Sequence, residues 1–290
     1  MVGFFLGIAI TLGAVFGGYT IAGGSFAIIL HSLPYEMTMI GGAAIGAFVV
    51  GNDFSVIKHV FGDIAKAITG PKWKRQDFQD LLCLMYELLR VAKENPVQAE
   101  AHIESPTESD IFNKYPKIAG DSEATEIICD TIRSMLMNFD NPHQVEDLLE
   151  KQLEASHEEA LHGAHALQKM ADGLPALGIV AAVLGVIKTM ASIDKPPEVL
   201  GQMIGGALVG TFLGVFLAYG LVGPLADRIA SVREHELRFY ALIRETIVSN
   251  LQMHTPQMSV EVARRNVPKS SRPSFNEIED ALKALKKEAA

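Results

Sequence analysis

Twenty residues without a charge, GGALVGTFLGVFLAYGLVGP at 205–224, constrain this chain more than any other feature. As an α-helix they would reach about 30 Å, the thickness of a bilayer's hydrocarbon core. Yet they hold six glycines, a threonine and a closing proline, all poor helix formers in water. In lipid there is little hydrophobic drive to bring helices together, so association depends on close backbone approach. Gly206, Gly210, Gly214 and Ala218 recur every four residues and make one small-residue stripe. Such a stripe is a surface to be packed against, by other helices of this chain or by further chains.

Three more apolar runs accompany it. Residues 2–35 carry no charge, and after Glu36 comes MTMIGGAAIGAFVVGN. With GGS at 23–25 and Pro34 as punctuation, this block predicts helices near 3–22 and 34–51. The first run is too long for a signal core and has no preceding basic residue, so it reads as a retained span. GLPALGIVAAVLGVIKTMASI (173–193) precedes the turn DKPPE and the run already described. Small residues recur here too, as Gly42 with Gly46, Gly178 with Ala182 and Ala181 with Gly185.

The fold class is therefore an all-α membrane protein: four transmembrane helices as two hairpins, with a helical cytoplasmic domain inserted between them. The expected divisions are a hairpin at 1–52, the cytoplasmic domain at 53–172, a second hairpin at 173–224 and a cytoplasmic tail at 225–290. Residues 52–172 contain 12 basic residues and the tail 11, against one in the 194–198 turn and none between the first two spans. The positive-inside bias places the large segments and both termini in the cytoplasm of an inner membrane. The inserted segment carries 22 acidic residues, a net −10 that accounts for the whole chain's −9, so nucleic acid is not an expected partner. Its apolar residues fall at three-and-four spacing, and a polar helix near 143–171 leads into the third span. Ser274 and Glu277 are spaced as a capping box that opens a terminal helix.

Single residues add detail. Thr211 either bonds back to a carbonyl one turn earlier or lines a polar path. Pro175 suits the first turn of the third span. Pro224 denies Gly220's carbonyl its partner, so a kink is expected there. Ionisable residues of the spans, Glu36 and Lys188, are expected near the ends, which leaves no carboxylate at depth for proton transfer. Cys83 and Cys129 form no Cys-x-x-Cys pair and read as buried thiols of a reducing compartment. The phosphate-loop and dinucleotide patterns are absent. His157 and His162 are five apart, so they point away from each other and fit a solvated face rather than a metal site. Neither a cofactor nor a metal nor enzymatic activity is expected. GPKWKRQDF (70–78) reads as a solvated loop or as a docking segment for lipid or protein.

The chain resembles the MotA family of flagellar stator membrane subunits, more distantly related to TolQ and ExbB. The matching stretches are GAVFGGYTIAGGS, GGAAIGAFVVGN, HIESPTESDIFNKYP, DGLPALGIVAAVLGV, LVGTFLGVFLAYGLVGPLAD and RPSF. The resemblance implies a ring, usually of five copies, around two copies of MotB, whose membrane aspartate supplies the acid. It implies that Thr211 lines the proton route and that Pro175 and Pro224 couple ion passage to movement. Ala182 stands where sodium-driven relatives carry threonine, which implies protons. It further implies that Glu100, with Arg90 or Lys93, meets the rotor protein FliG; the family's usual arginine position falls on Ala92. Two alternatives are an ExbB-like subunit that energises a periplasm-spanning system and a passive membrane scaffold.

Overall fold

In the computed structural model, which describes residues 2–137 and 142–288, the chain is helical throughout, with no strand among the described residues. Four helices are long and apolar enough to cross a membrane: Val2–Ile21, Phe26–Gly51, His143–Met190 and Pro197–Leu251. They are termed here the first to fourth long helices. The last two measure 48 and 55 residues. At 1.5 Å per residue that is about 70 and 80 Å, more than twice a bilayer core, so each is a span continued as a polar helix.

The chain divides into two compact units. One comprises Met1–Gly70 and Ala160–Val232; the other comprises Pro71–Glu159 and Arg233–Ala290.

In the first unit the second helix begins at Phe26, earlier than the expected start near residue 34. The reason is local. Gly23 takes a φ of +81°, a turn conformation open to glycine, and the Ser25 side chain then accepts the amide of Ala27 as an N-cap. Pro34 lies inside the helix, and the ladder it interrupts passes into a π turn at Met37–Gly41. Pro175 likewise lies in the interior of an unbroken helix, Pro142–Met190, and not in a first turn, because the polar helix and the span are continuous. Around Pro224 the backbone remains helical, and the defect is taken up by a π turn at Ala218–Val222. A Cβ on Gly223 would lie 2.9 Å from the carbonyl oxygen of Ala218, so glycine leaves room for that turn.

The unit's interior is thin, as expected for helices that face lipid. Ile40, Ala44, Leu174, Ala181, Leu213 and Ala218 form one cluster. Val60, Ala67, Ala164, Leu167, Ala226 and Ile229 form another. The first helix has no buried residue between Val2 and Leu12. It is attached through Phe16, whose ring meets Phe212 and Phe216 edge-on at centroid distances of 6.1 and 5.4 Å.

The second unit has a conventional aqueous-type core. The helix Arg75–Glu94 buries Phe78, Leu81, Leu82, Leu84, Met85, Leu88 and Leu89. Trp73, 1% exposed, stacks on Phe239 with ring centroids 3.9 Å apart, and the ammonium groups of Lys72 and Lys117 lie over its ring. Within the basic aromatic stretch the tryptophan is core, while Lys72, Lys74, Arg75 and Gln76 around it stay exposed. Helix starts follow side-chain caps at Asn95, Ser109, Asp121 and Thr255. The Ser274–Glu277 box forms with both of its bonds at the head of Phe275–Glu288.

Candidate ion path in the helical bundle

The small residues singled out in the sequence decide where the spans touch. A Cβ on Gly178 would lie 2.9 Å from the carbonyl oxygen of Gly210 and 3.1 Å from the Cα of Gly214. A Cβ on Gly214 would meet the carbonyl oxygen of Leu174 at 2.7 Å. The third and fourth helices therefore cross backbone on backbone. Higher on the same crossing, Gly185 meets Ala207, and Gly206 faces the hydroxyl of Ser32 on the second helix. Ala218 is buried in the cluster beneath. Gly42 and Gly46 have nothing within 4 Å of a would-be Cβ, so no described residue packs on that stripe.

Thr211 is half-buried beside this crossing. The other threonines of the long helices, Thr11, Thr20, Thr38, Thr189 and Thr246, all donate their hydroxyls to the carbonyl four residues earlier. Among the described residues Thr211 makes no such bond, so its hydroxyl has no partner on its own helix. Ala182 is half-buried on the third helix, and the neighbouring Ala181 packs toward Gly210. Pro175 is half-buried and Pro224 exposed.

Glu36 departs from its expected place near a span end. Because the second helix starts at Phe26, Glu36 lies about 15 Å along it. It is 5% exposed, and its Oε2 atom is buried without a hydrogen-bond partner. A Cβ on Gly210 would lie 2.5 Å from that oxygen. The chain does bring a carboxyl group into its hydrophobic bundle. The misplaced helix start concealed it, and the sequence signal that would have revealed it is Ser25, a capping residue directly after a glycine turn.

Glu36 also lines a cavity of about 680 Å³ between the second, third and fourth helices, together with His31, Lys188, Thr189, Lys195 and Gln202. Lys195 belongs to the turn that joins the third and fourth helices, so the cavity reaches that end of the bundle.

In the other unit, Lys93 and Glu100 are exposed and Arg90 is half-buried with its Nε unpartnered. They lie at the end of Arg75–Glu94 and on Pro96–Glu104, and among the described residues no ion pair joins them. Ala92 is buried. Cys83 and Cys129 are buried free thiols. His157, His162 and His165 are all exposed, and among the described residues no group of three or more histidine, cysteine or acidic side chains is arranged to hold a metal.

Closely crossed, glycine-lined spans with a free hydroxyl and a buried carboxyl define a class: membrane-embedded helical subunits of ion-conducting assemblies. Residues 5–96 match the family model described as Motility protein A N-terminal, and residues 120–240 match that of the MotA/TolQ/ExbB proton channel family. Motility protein A of Salmonella typhimurium is 37% identical over 97% of this chain and 95% of its own. The chemotaxis protein LafT of Vibrio parahaemolyticus is 34% identical over 96% of this chain and 97% of its own. Two solved structures share the fold. The C. jejuni MotAB structure matches with a TM-score of 0.72 at 16% identity, over 93% of this chain and 98% of the other. The flagellar MotAB stator complex of Bacillus subtilis matches at 0.68 and 21%, over 97% and 98%. The chain belongs to the motility protein A family and is an ion-channel subunit of the flagellar motor stator.

Proposed function

We propose that this chain forms, with MotB, the proton channel of the stator, and that the passage of each proton is converted into torque on FliG. Several copies, five in the arrangement the family resemblance implies, surround two MotB helices that bring a membrane aspartate to the level of Thr211. The hydroxyl of Thr211, which makes no back-bond, is the observation that carries this reading. A side chain with no internal partner in a low-dielectric span costs free energy unless something transient satisfies it. Ala182 lines the same route as an apolar neighbour, consistent with protons rather than sodium. Pro175 and Pro224 act as points of give: each removes one rung of the helix ladder, and the π turn next to Pro224 supports bending at that level.

The exposed side chains of Lys93 and Glu100 suit long-range steering against rotor charges, with the half-buried Arg90 behind them. The bias of basic residues toward the large polar parts and the tail supports a cytoplasmic location for them and for both termini at the inner membrane. A strain lacking the gene should assemble flagella that do not turn. Thr211→Val, which keeps shape and removes the hydroxyl, should insert normally yet lower proton flow and torque. Normal swimming by the deletion strain, with failure instead of a periplasm-spanning uptake system, would favour the ExbB-like alternative. Full torque from the valine variant would remove Thr211 from the path.

A further inference from the structure

Glu36 has no role in the arrangement above, yet it is a buried carboxyl with an unpartnered oxygen among the spans. A carboxyl group that is 95% buried and has one oxygen without a partner is retained only where something offsets its burial. Among the described residues no salt bridge balances it, and its unpartnered oxygen rests on the bare backbone of Gly210. Residue 210 precedes Thr211. On its other side the same carboxyl lines the cavity that reaches the turn containing Lys195. Glu36 therefore lies between that cavity and the residue that precedes Thr211.

The surroundings suit a proton and no larger ion at this point. Facing the cavity from Glu36's own helix are His31 and Tyr35; from the third helix comes Lys188, and from the following turn Lys195. The fourth helix contributes no titratable group there, Gln202 being its polar residue on the cavity wall. Two lysines at the mouth disfavour entry of a metal cation, whereas a proton relayed through water is not held as a hydrated ion.

Resting on the stator reading, we propose that Glu36 is a proton-binding station of this chain. Its carboxylate takes a proton from the cavity, becomes a neutral acid, and releases the proton inward past Gly210 toward Thr211, which restores the carboxylate. The stage adds to the partner's aspartate and does not replace it.

The test uses the full chain co-expressed with its MotB-type partner. Glu36→Gln keeps size and hydrogen-bonding capacity but binds no proton. It should lower motor torque under load about tenfold or more and flatten its dependence on external pH, and Glu36→Asp should restore part of both. Wild-type torque from the glutamine variant between pH 6 and 8 would overturn the proposal. Should the glutamine variant fail to assemble, wild-type membranes decide the matter. Dicyclohexylcarbodiimide, which attacks protonated carboxyls in apolar surroundings, should form a mass-identified adduct at Glu36 and stop proton flow in parallel; an unmodified Glu36 overturns the proposal. Failure of the stator reading looks different, since the wild-type complex would then give no torque at all.

Discussion

Replacing Gly214 by alanine gives the sharpest test of how the spans are held. The added Cβ would sit 2.7 Å from the carbonyl oxygen of Leu174, 2.9 Å from the Cα of Gly178 and 3.2 Å from its amide nitrogen. Carbon contacts are comfortable at about 3.5–4.0 Å, so the helices must separate by roughly 0.6–1 Å at the crossing. All three atoms are backbone, so no side chain can swing away. Overpacking of this kind costs about 1–3 kcal/mol. Alanine also gains up to about 1 kcal/mol over glycine inside a helix, which partly hides the loss. Gly173→Ala removes that ambiguity, because nothing lies within 4 Å of its would-be Cβ and the helix term is shared. The difference between the two variants therefore isolates the contact, at about 1–3 kcal/mol. Unfolding of the purified protein in mixed micelles, titrated with dodecyl sulfate, measures it. Pairing Gly214→Ala with Gly178→Ala should then be non-additive, since both strain one contact. Equal stability of the Gly214 and Gly173 variants, within about 0.5 kcal/mol, would show that the crossing is not backbone-tight.

Burial, with Asp80 and Glu87 nearby, pushes the Cys83 thiol up to about 12, and burial raises Cys129 to about 11. Neither should react with maleimide at pH 7.5 until the protein is denatured, as intact mass will show; native labelling of Cys83 would contradict its burial. Burial, then Arg238, lowers His235 from its ordinary 6.5, and its Nε2 lies 3.4 Å from the Ser271 hydroxyl. Below pH 6.5 the unfolded chain binds the proton more readily, so stability contributed by the neutral ring is full above 6.5 and lost as pH falls. His235→Gln should flatten that slope in unfolding curves between pH 5 and 7, and an unchanged slope would assign it elsewhere. Reversing Lys93 and Glu100 together should alter motility by more than the two single reversals sum to, and less so at high salt. Simple additivity would place them on separate contacts.

The four spans were visible in the sequence because long charge-free runs have few other uses. The cap at Ser274 was visible because its chemistry is local. Glycine spacing marked a face of each helix, but periodicity does not name the partner; the Gly178–Gly214 contact exists only once the third and fourth helices are paired. Pro34 misled because a proline is a common first residue, while in this bundle a π turn lets the helix continue past it. That one boundary also hid the depth of Glu36. The π turn at Ala218–Val222 left no compositional trace, since it differs from α-helix only in which carbonyl each amide meets. Trp73 sits between Lys72 and Lys74 and looked solvated; instead Lys72 and the sequence-distant Lys117 lie over its ring and Phe239 stacks on it, which residue order alone does not reveal.

On the proposed reading, these spans conduct ions only as part of an assembly with a second, acid-bearing polypeptide. Native mass spectrometry of the complex extracted from membranes with its neighbours tests it most directly. The expected result is one mass in which several copies of this chain hold two copies of a MotB-type partner. A stable, conducting species made of this chain alone would contradict it.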